Sequence, residues 1–220
     1  MPNWNELFKD EKFHWRDPHD GLVELTREWV RAQPRMHVLD LGCGAGRHMV
    51  YLESQGLDVT GCDIARNGLV VARDWLLREK RPARLIQVEM TALPYPKHTF
   101  DALISTYVIH HNSMDKIRRT LDEMERVLRP GGCVFIIVAS RRGGRFGEGM
   151  RLEPGTYVPE RGEDAGVPHH FFGGSELAAE MERHFVVRRM VLEEATHSDG
   201  GRSSHWVVLA QKPLPGDAMR

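Results

Sequence analysis

Three groups of residues in this 220-residue chain have the type and spacing to do chemistry. The first is the glycine loop Gly42-Cys43-Gly44-Ala45-Gly46, entered from the apolar run Val38-Leu39-Asp40-Leu41. Glycines at alternate positions let a backbone turn sharply and approach a ligand without interference from Cβ atoms. A helix expected over residues 47–54 would point its N-terminal amides at the same spot. The second group is acidic: Asp40, two residues before Gly42, and Asp63, 21 residues after it. A carboxylate ending the second strand can accept from both hydroxyls of a ribose, as an acid at similar spacing does in dinucleotide folds. It can equally cap the helix that follows. The third group is Ser105-Thr106-Tyr107-Val108-Ile109-His110-His111, beyond the fourth strand. Imidazole titrates near neutrality, so His110 and His111, with Tyr107 beside them, are candidates for a general base or a substrate ligand, or for plain packing.

These groups need a scaffold, and the hydrophobic pattern supplies one. From residue 36 to residue 212, short apolar runs alternate with amphipathic stretches, which predicts an α/β fold with a mainly parallel sheet. Strands are expected at 37–41, 58–62, 84–89, 100–105, 133–139, 185–193 and 204–211, with the last strand antiparallel. Helices are expected at 66–80, with Leu69, Ala72 and Leu76 on one face, and at 114–128, with Ile117, Leu121, Met124 and Leu128 on one face. Arg129-Pro130-Gly131-Gly132 is expected to stop the second helix, since proline cannot continue it. In an open sheet of this kind, ligands sit beyond the carboxyl ends of the strands. That is where all three groups fall.

The order of these segments resembles the class I S-adenosylmethionine-dependent methyltransferases of the small-molecule type. A nicotinamide or flavin loop would need glycine at position 47, which is Arg47, whereas Asp40-x-Gly42-x-Gly44-x-Gly46 is similar to the methyltransferase motif. The segments Phe100-Asp101-Ala102-Leu103-Ile104-Ser105 and Leu128-Arg129-Pro130-Gly131-Gly132 extend the likeness over most of the chain. The resemblance implies a Rossmann-like doubly wound sheet of about seven strands with helices on both faces, forming a single domain over residues 1–220. It implies S-adenosyl-L-methionine as cofactor, its methionine part packed on Gly42, Cys43, Gly44 and Gly46, with Asp40 orienting the amino group. Asp63 would take the ribose, with Ile64 next to it. Glu89 would bond the adenine amino group and the Met90 amide would meet the ring, with Thr106 nearby. Many relatives carry aspartate where this chain has Glu89.

Two regions interrupt the alternation. Residues 1–33 contain Trp4, Trp15 and Trp29 and read as an N-terminal cap, in which Phe13, Trp15 and Arg16 are placed to line the cofactor entrance. Residues 140–174 hold nine glycines and three prolines and end in an aromatic, histidine-rich tail. A connection of that length is usually functional or disordered, and this one reads as a lid or substrate-binding insertion. Tyr157, His169 and His170 within it, and His205 on the last strand, are further pocket candidates. Their spacing shows no convergence, so no metal site is assigned.

Methyl transfer from a sulfonium is an in-line displacement, so the protein mainly aligns the nucleophile and excludes water, and proximity supplies roughly 7–11 kcal/mol. A small-molecule acceptor is the preferred reading. Net charge is -1, short of the positive field that nucleic acid or an anionic membrane demands. The arginines at 118–119, 141–145 and 188–189 read as solvated surface. The Asn/Asp-Pro-Pro-Tyr box of many amino-group methyltransferases is absent. Against this, Val108-Ile109-His110-His111 is similar to a stretch in wobble-uridine tRNA methyltransferases, so tRNA modification stays open, as does a non-catalytic cofactor-binding module. The N-terminus has no apolar signal region, and the three cysteines lack CxxC spacing. A cytoplasmic protein with reduced thiols, monomeric or homodimeric, is expected.

Overall fold

The apolar periodicities become a layered structure in a computed structural model, which describes residues 4–33, 35–196 and 200–217. Residues 1–3 of the N-terminal region lie outside the described residues. In chain order the elements are α1 (Trp4–Leu7), a 3-10 turn (Glu11–Phe13), α2 (Asp20–Ala32), β1 (His37–Leu41), α3 (Arg47–Ser54), β2 (Asp58–Asp63), α4 (Arg66–Arg78) and β3 (Arg84–Gln87). There follow β4 (Phe100–Thr106), α5 (Met114–Val127), β5 (Leu128–Ala139), β6 (Met150–Glu153), β7 (Thr156–Val158), β8 (His169–His170), α6 (Gly174–Glu182), β9 (Val186–Thr196) and β10 (Arg202–Gln211).

The main sheet has seven strands in the order β3-β2-β1-β4-β5-β10-β9. β1 to β5 pair parallel, and β10 lies antiparallel between β5 and β9. The reversal follows from connection length, because consecutive antiparallel strands need only a short link while parallel ones need a crossover. Successive residues of a strand face opposite sides. Val38, Ala102, Ile104 and Phe135 therefore pack under α2, α3 and α4, and Leu39, Leu41, Leu103 and Ile136 pack under α5 and α6. This is the doubly wound, Rossmann-like arrangement with helices on both faces. From β1 the chain winds outward to β2 and β3, then returns to β4 on the other side of β1. The crevice at that switch point opens beyond the carboxyl ends of β1 and β4.

Some boundaries differ from expectation for local reasons. β3 stops at Gln87 rather than at residue 89, because its partner β2 ends at Asp63, opposite Gln87. β5 begins at Leu128, not at residue 133: Leu128 pairs with Phe100, Cys133 pairs with Ala102, and the turn residues between them bulge out of register. Proline has no N–H for a ladder, so a bulge is where it fits. β9 and β10 pair from Val186–Gln211 out to Thr196–Arg202, longer than expected at both free ends.

The segment 140–174 has structure of its own. β6, β7 and β8 form a three-stranded antiparallel sheet. Its tail is stitched back to the main sheet, with the N–H of Phe172 donating to the Ala139 carbonyl (2.9 Å) and the N–H of His170 to the His110 carbonyl (2.7 Å). Phe172 is fully buried in the core between β5 and α6, and its carbonyl accepts from the Trp206 indole N–H at 3.1 Å. An aromatic tail that reads as too apolar for a linker is thus an anchor.

Phe172→Ala is expected to lower unfolding free energy by about 3–5 kcal/mol, the usual range for emptying a buried phenylalanine site. Urea denaturation measures this. A midpoint matching that of the unsubstituted chain would remove Phe172 as the anchor of the 140–174 segment.

Candidate active site

A cavity of about 800 Å³ occupies the switch-point crevice. Its floor is the glycine loop and the start of α3, one side is the end of β2 and the residues after β3, and the opposite side is Thr106 to Val108 with His111. The remaining walls come from the N-terminal segment and from the 140–174 segment.

The loop is shaped by contacts only glycine permits. Gly42 has φ +80°, and a Cβ there would meet the Val108 side chain at 2.5 Å. A Cβ on Gly44 would meet the Phe8 ring at 2.8 Å. The amides of Gly42 and Cys43 donate to the Cys62 carbonyl (2.8 and 3.0 Å). The Gly44 amide donates to Asp63 Oδ2 at 2.8 Å, and the Ala65 amide to Asp63 Oδ1 at 2.8 Å. Asp63 stands in the cavity wall and ties the loop to β2, but it does not cap α4: its bond reaches the amide of Ala65, the residue before the helix, and no side chain caps the helix start. Burial raises its pKa, opposed by these backbone donors.

Asp40 lies behind the loop, outside the cavity lining, with Oδ2 buried and without a hydrogen-bond partner among the described residues. Burial pushes its carboxyl up to about 7, against the pull of Arg47 and with a further push from Asp63. Cys43 and Cys62 also lie at the loop, and burial raises both thiols, so neither is poised as a thiolate.

Ile64 just past β2, and Val88 and Met90 past β3, present apolar surface to the cavity, and Ile64 is 46% exposed. Glu89 lines the same wall, with Lys116 Nζ at 3.9 Å from Oε2. The Met90 amide is not directed at open space: it donates to Glu89 Oε1 at 3.1 Å.

Past β4, Tyr107 sits in the left-handed region at φ +61°. Such a conformation costs a bulky residue on the order of 1–3 kcal/mol and persists only where the surroundings enforce it. Here its N–H donates to the Ile137 carbonyl at 3.0 Å. Its ring meets Trp15 and His205 edge-on, at 5.9 and 4.8 Å between centroids, and the Arg47 guanidinium lies 5.7 Å from the ring centre. Thr106 Oγ1 pairs with His48 Nδ1 at 3.3 Å, and the His19 amide donates to His48 Nε2 at 3.3 Å. Burial, with Arg47 and His19 nearby, holds His48 well below its usual pKa.

The two histidines after β4 divide. His111 lines the cavity against the Trp4 ring (4.9 Å), whereas His110 is buried behind it at 4.1 Å between ring centroids. His169, distant in sequence, packs edge-on against His111 at 4.5 Å. Burial pushes His111 down to about 3 and His169 to about 4, and lowers His110 strongly. These imidazoles are neutral at pH 7 and weak as bases. His170 is turned away, with Nδ1 2.8 Å from Thr156 Oγ1, and Tyr157 packs on Phe146 and Phe171. His170, Tyr157 and His205 are absent from the cavity lining.

Several wall residues carry no motif. Trp4, Leu7 and Phe8 join Phe13 and Trp15 over the loop, held there because Asn5 accepts from the Asn67 amide and side chain (both 2.7 Å). Arg16, expected at the entrance, instead stacks on Trp75 at 4.4 Å. Arg145 also departs from expectation: it is in the cavity wall, paired through both guanidinium nitrogens with Asp164 (2.7 and 3.1 Å). Lys12 bonds Glu163, joining the N-terminal segment to the 140–174 segment. A run of small and aromatic residues was the sole sequence signal for these walls.

Residues 38–132 match the family described as a methyltransferase domain. A tRNA N(3)-methylcytidine methyltransferase of Drosophila melanogaster is 28% identical over 189 residues, 80% of this chain and 56% of that protein. Phosphoethanolamine N-methyltransferase 1 of Zea mays is 32% identical over 148 residues, 66% of this chain and 28% of that protein. The chain thus spans about half or less of the length of these relatives. Among solved structures, a SAM-dependent methyltransferase of Methanosarcina mazei superposes with TM-score 0.73 at 21% identity, covering 90% of this chain and 99% of that one, a likeness of fold.

The neutral His48 gives a pH signature. Its folded pKa lies below the unfolded one, so its contribution is complete above about pH 6.5 and is lost as pH falls and the unfolded chain takes up the proton. His48→Gln is expected to flatten part of the fall in urea midpoint between pH 6.5 and 4.5. An unaltered slope would mean that His48 is not held neutral.

Proposed function

We propose that this chain is a class I S-adenosylmethionine-dependent methyltransferase and transfers a methyl group to a small-molecule acceptor held at the ends of β1 and β4. The observation that carries the acceptor class is the cavity: about 800 Å³, walled over by the N-terminal and 140–174 segments. Concave sites of this size suit small ligands. A polynucleotide needs an exposed basic track, and of the cavity's cations Lys116 and Arg145 stand beside Glu89 and Asp164 while Arg47 lies over the Trp15 and Tyr107 rings.

The residues present fit the cofactor. An unpartnered buried carboxylate oxygen on Asp40 attracts a cationic amino group, acting through the loop rather than by contact. The close-approach loop accommodates the methionine part, Asp63 keeps lone pairs free for ribose hydroxyls, and Ile64, Val88 and Met90 offer flat apolar contact for a base. Glu89 reaches the adenine amino group after its hold on the Met90 amide loosens. When bound, the cofactor supplies an electrophilic methyl group that needs no further activation. The chain then has to orient the nucleophile and exclude water. Tyr107 and His111 face the acceptor half of the cavity as neutral hydrogen-bonding groups, and His110 positions His111 from behind. The 140–174 segment acts as the lid, through Asp164 and Pro168.

A second reading, tRNA as acceptor, is favoured by the Drosophila relative that matches 80% of this chain. Incubation with labelled cofactor against separate metabolite and tRNA pools decides between them. Label in a small product supports the proposal, and label in tRNA alone overturns it.

Two further outcomes are expected. Asp63→Ala weakens S-adenosylmethionine affinity at least tenfold in calorimetry with the fold retained, while unchanged affinity would exclude Asp63 from the site. Second, Asp40 in the free protein is protonated below about pH 7, and a bound cation lowers its pKa, so binding releases a proton there. Affinity is expected to rise between pH 6 and 8, and Asp40→Asn to remove that rise. A profile identical in the variant would show that Asp40 does not sense the ligand.

A further inference from the structure

We infer that His110, His111 and His169 form a binding site for one divalent transition-metal ion of the zinc class, on the acceptor side of the cavity. One ring nitrogen from each of the three lies within 4.8 Å of the other two. His110 Nδ1 and His111 Nδ1 are buried without a hydrogen-bond partner among the described residues, and the equally buried His169 Nε2 meets only the Asp164 carboxylate, at 3.0 Å. Leaving a buried nitrogen unsatisfied is costly, so two such atoms beside a third imidazole with an anionic neighbour mark a shared missing partner. His48, buried equally near the cavity, has both ring nitrogens engaged.

The backbone brings the cluster together in a fixed way. His110 and His111 follow β4, His169 lies on β8, and the His170 amide bonds the His110 carbonyl at 2.7 Å. A tetrahedral ion with Zn–N bonds of about 2.0–2.1 Å needs nitrogens roughly 3.3 Å apart. Reaching that spacing from nitrogens within 4.8 Å of one another calls for rotation of the rings on binding. An all-imidazole donor set favours zinc, cobalt, nickel or copper, whereas magnesium and calcium require oxygen ligands. The Asp164 carboxylate, 3.0 Å from His169 Nε2, adds negative charge at the rim, partly offset by Arg145, with which it pairs. Both His111 and Asp164 border the cavity, so the fourth coordination position opens into it. Three histidines with one open position are the pattern of a reactive rather than a purely structural zinc site. The acceptor this site would take carries a coordinating hydroxyl, thiol or amine, whose pKa an ion there would lower. That last step rests on the small-molecule reading above, but the metal site does not.

The test uses the full chain without a histidine tag, stripped with a chelator and titrated with Co²⁺ and then Zn²⁺. The expected result is one equivalent bound, with the visible absorption of tetrahedral Co²⁺, displaced by Zn²⁺. His111→Gln and His169→Gln should each reduce affinity at least about 100-fold, beyond the 10–100-fold typical of losing an outer partner. His98→Gln, at an exposed position, should match the parent. Absence of stoichiometric binding to the parent chain, or equal affinity in both folded cluster variants, overturns the site. S-adenosylmethionine affinity is measured on the same samples. Cofactor binding without metal binding removes the site and leaves the methyltransferase reading standing, and the reverse removes that reading alone.

Discussion

The parallel pairing of β1 with β4, from Val38–Ala102 to Asp40–Ile104, is the constraint from which the site follows. The two strands end side by side, and their continuations must part. The turn after β1 curls towards β2 and gives both its first amides to the Cys62 carbonyl. The turn after β4 lifts Val108 over Gly42, leaving no room for a Cβ between them. One end of the cavity is thereby fixed by main-chain hydrogen bonds, and the groups near it are placed to within a side-chain rotation. A site built on strand ends has this rigidity without needing long side chains to reach across it.

Desolvation sets the electrical character of that space. It outweighs the charge of Arg47 at Asp40 and the backbone donors at Asp63, raising both carboxyls, and it is the largest cause of the lowered imidazoles beyond β4. The interior thus favours uncharged forms before any ligand arrives. A cationic sulfonium compound would meet Asp40 partly protonated near pH 7 and favour its ionised form, coupling binding to proton release. The same neutrality argues against a free imidazole base for the chemistry and leaves alignment as the chief contribution of the walls.

How much of this the sequence reveals depends on whether a feature is local. The glycine loop, Asp63 and the strand pattern are local, since a short peptide's own geometry dictates them, and the sheet and its helices follow. The β3 and β5 boundaries are less legible because they depend on where a partner strand ends. The walls are least legible. Phe8 approaches Gly44 from 36 positions away, and Arg145 stands in the cavity wall paired with Asp164, 19 positions on. His110, His111 and His169 meet because a buried phenylalanine returns the chain to β5, which no spacing rule conveys. Composition alone marks residues 140–174 as unusual without showing that they fold.

The ion pair between Lys12 and Glu163 joins two segments 151 positions apart over the cavity. Both partners are about half exposed, and pairs of this kind are weak and screened by salt. After each methyl transfer the donor is one methyl group smaller and the acceptor one methyl group larger, and both have to leave the cavity. Salt weakens this tie between the two walls, while the strand-end geometry beneath, held by main-chain hydrogen bonds, is left untouched.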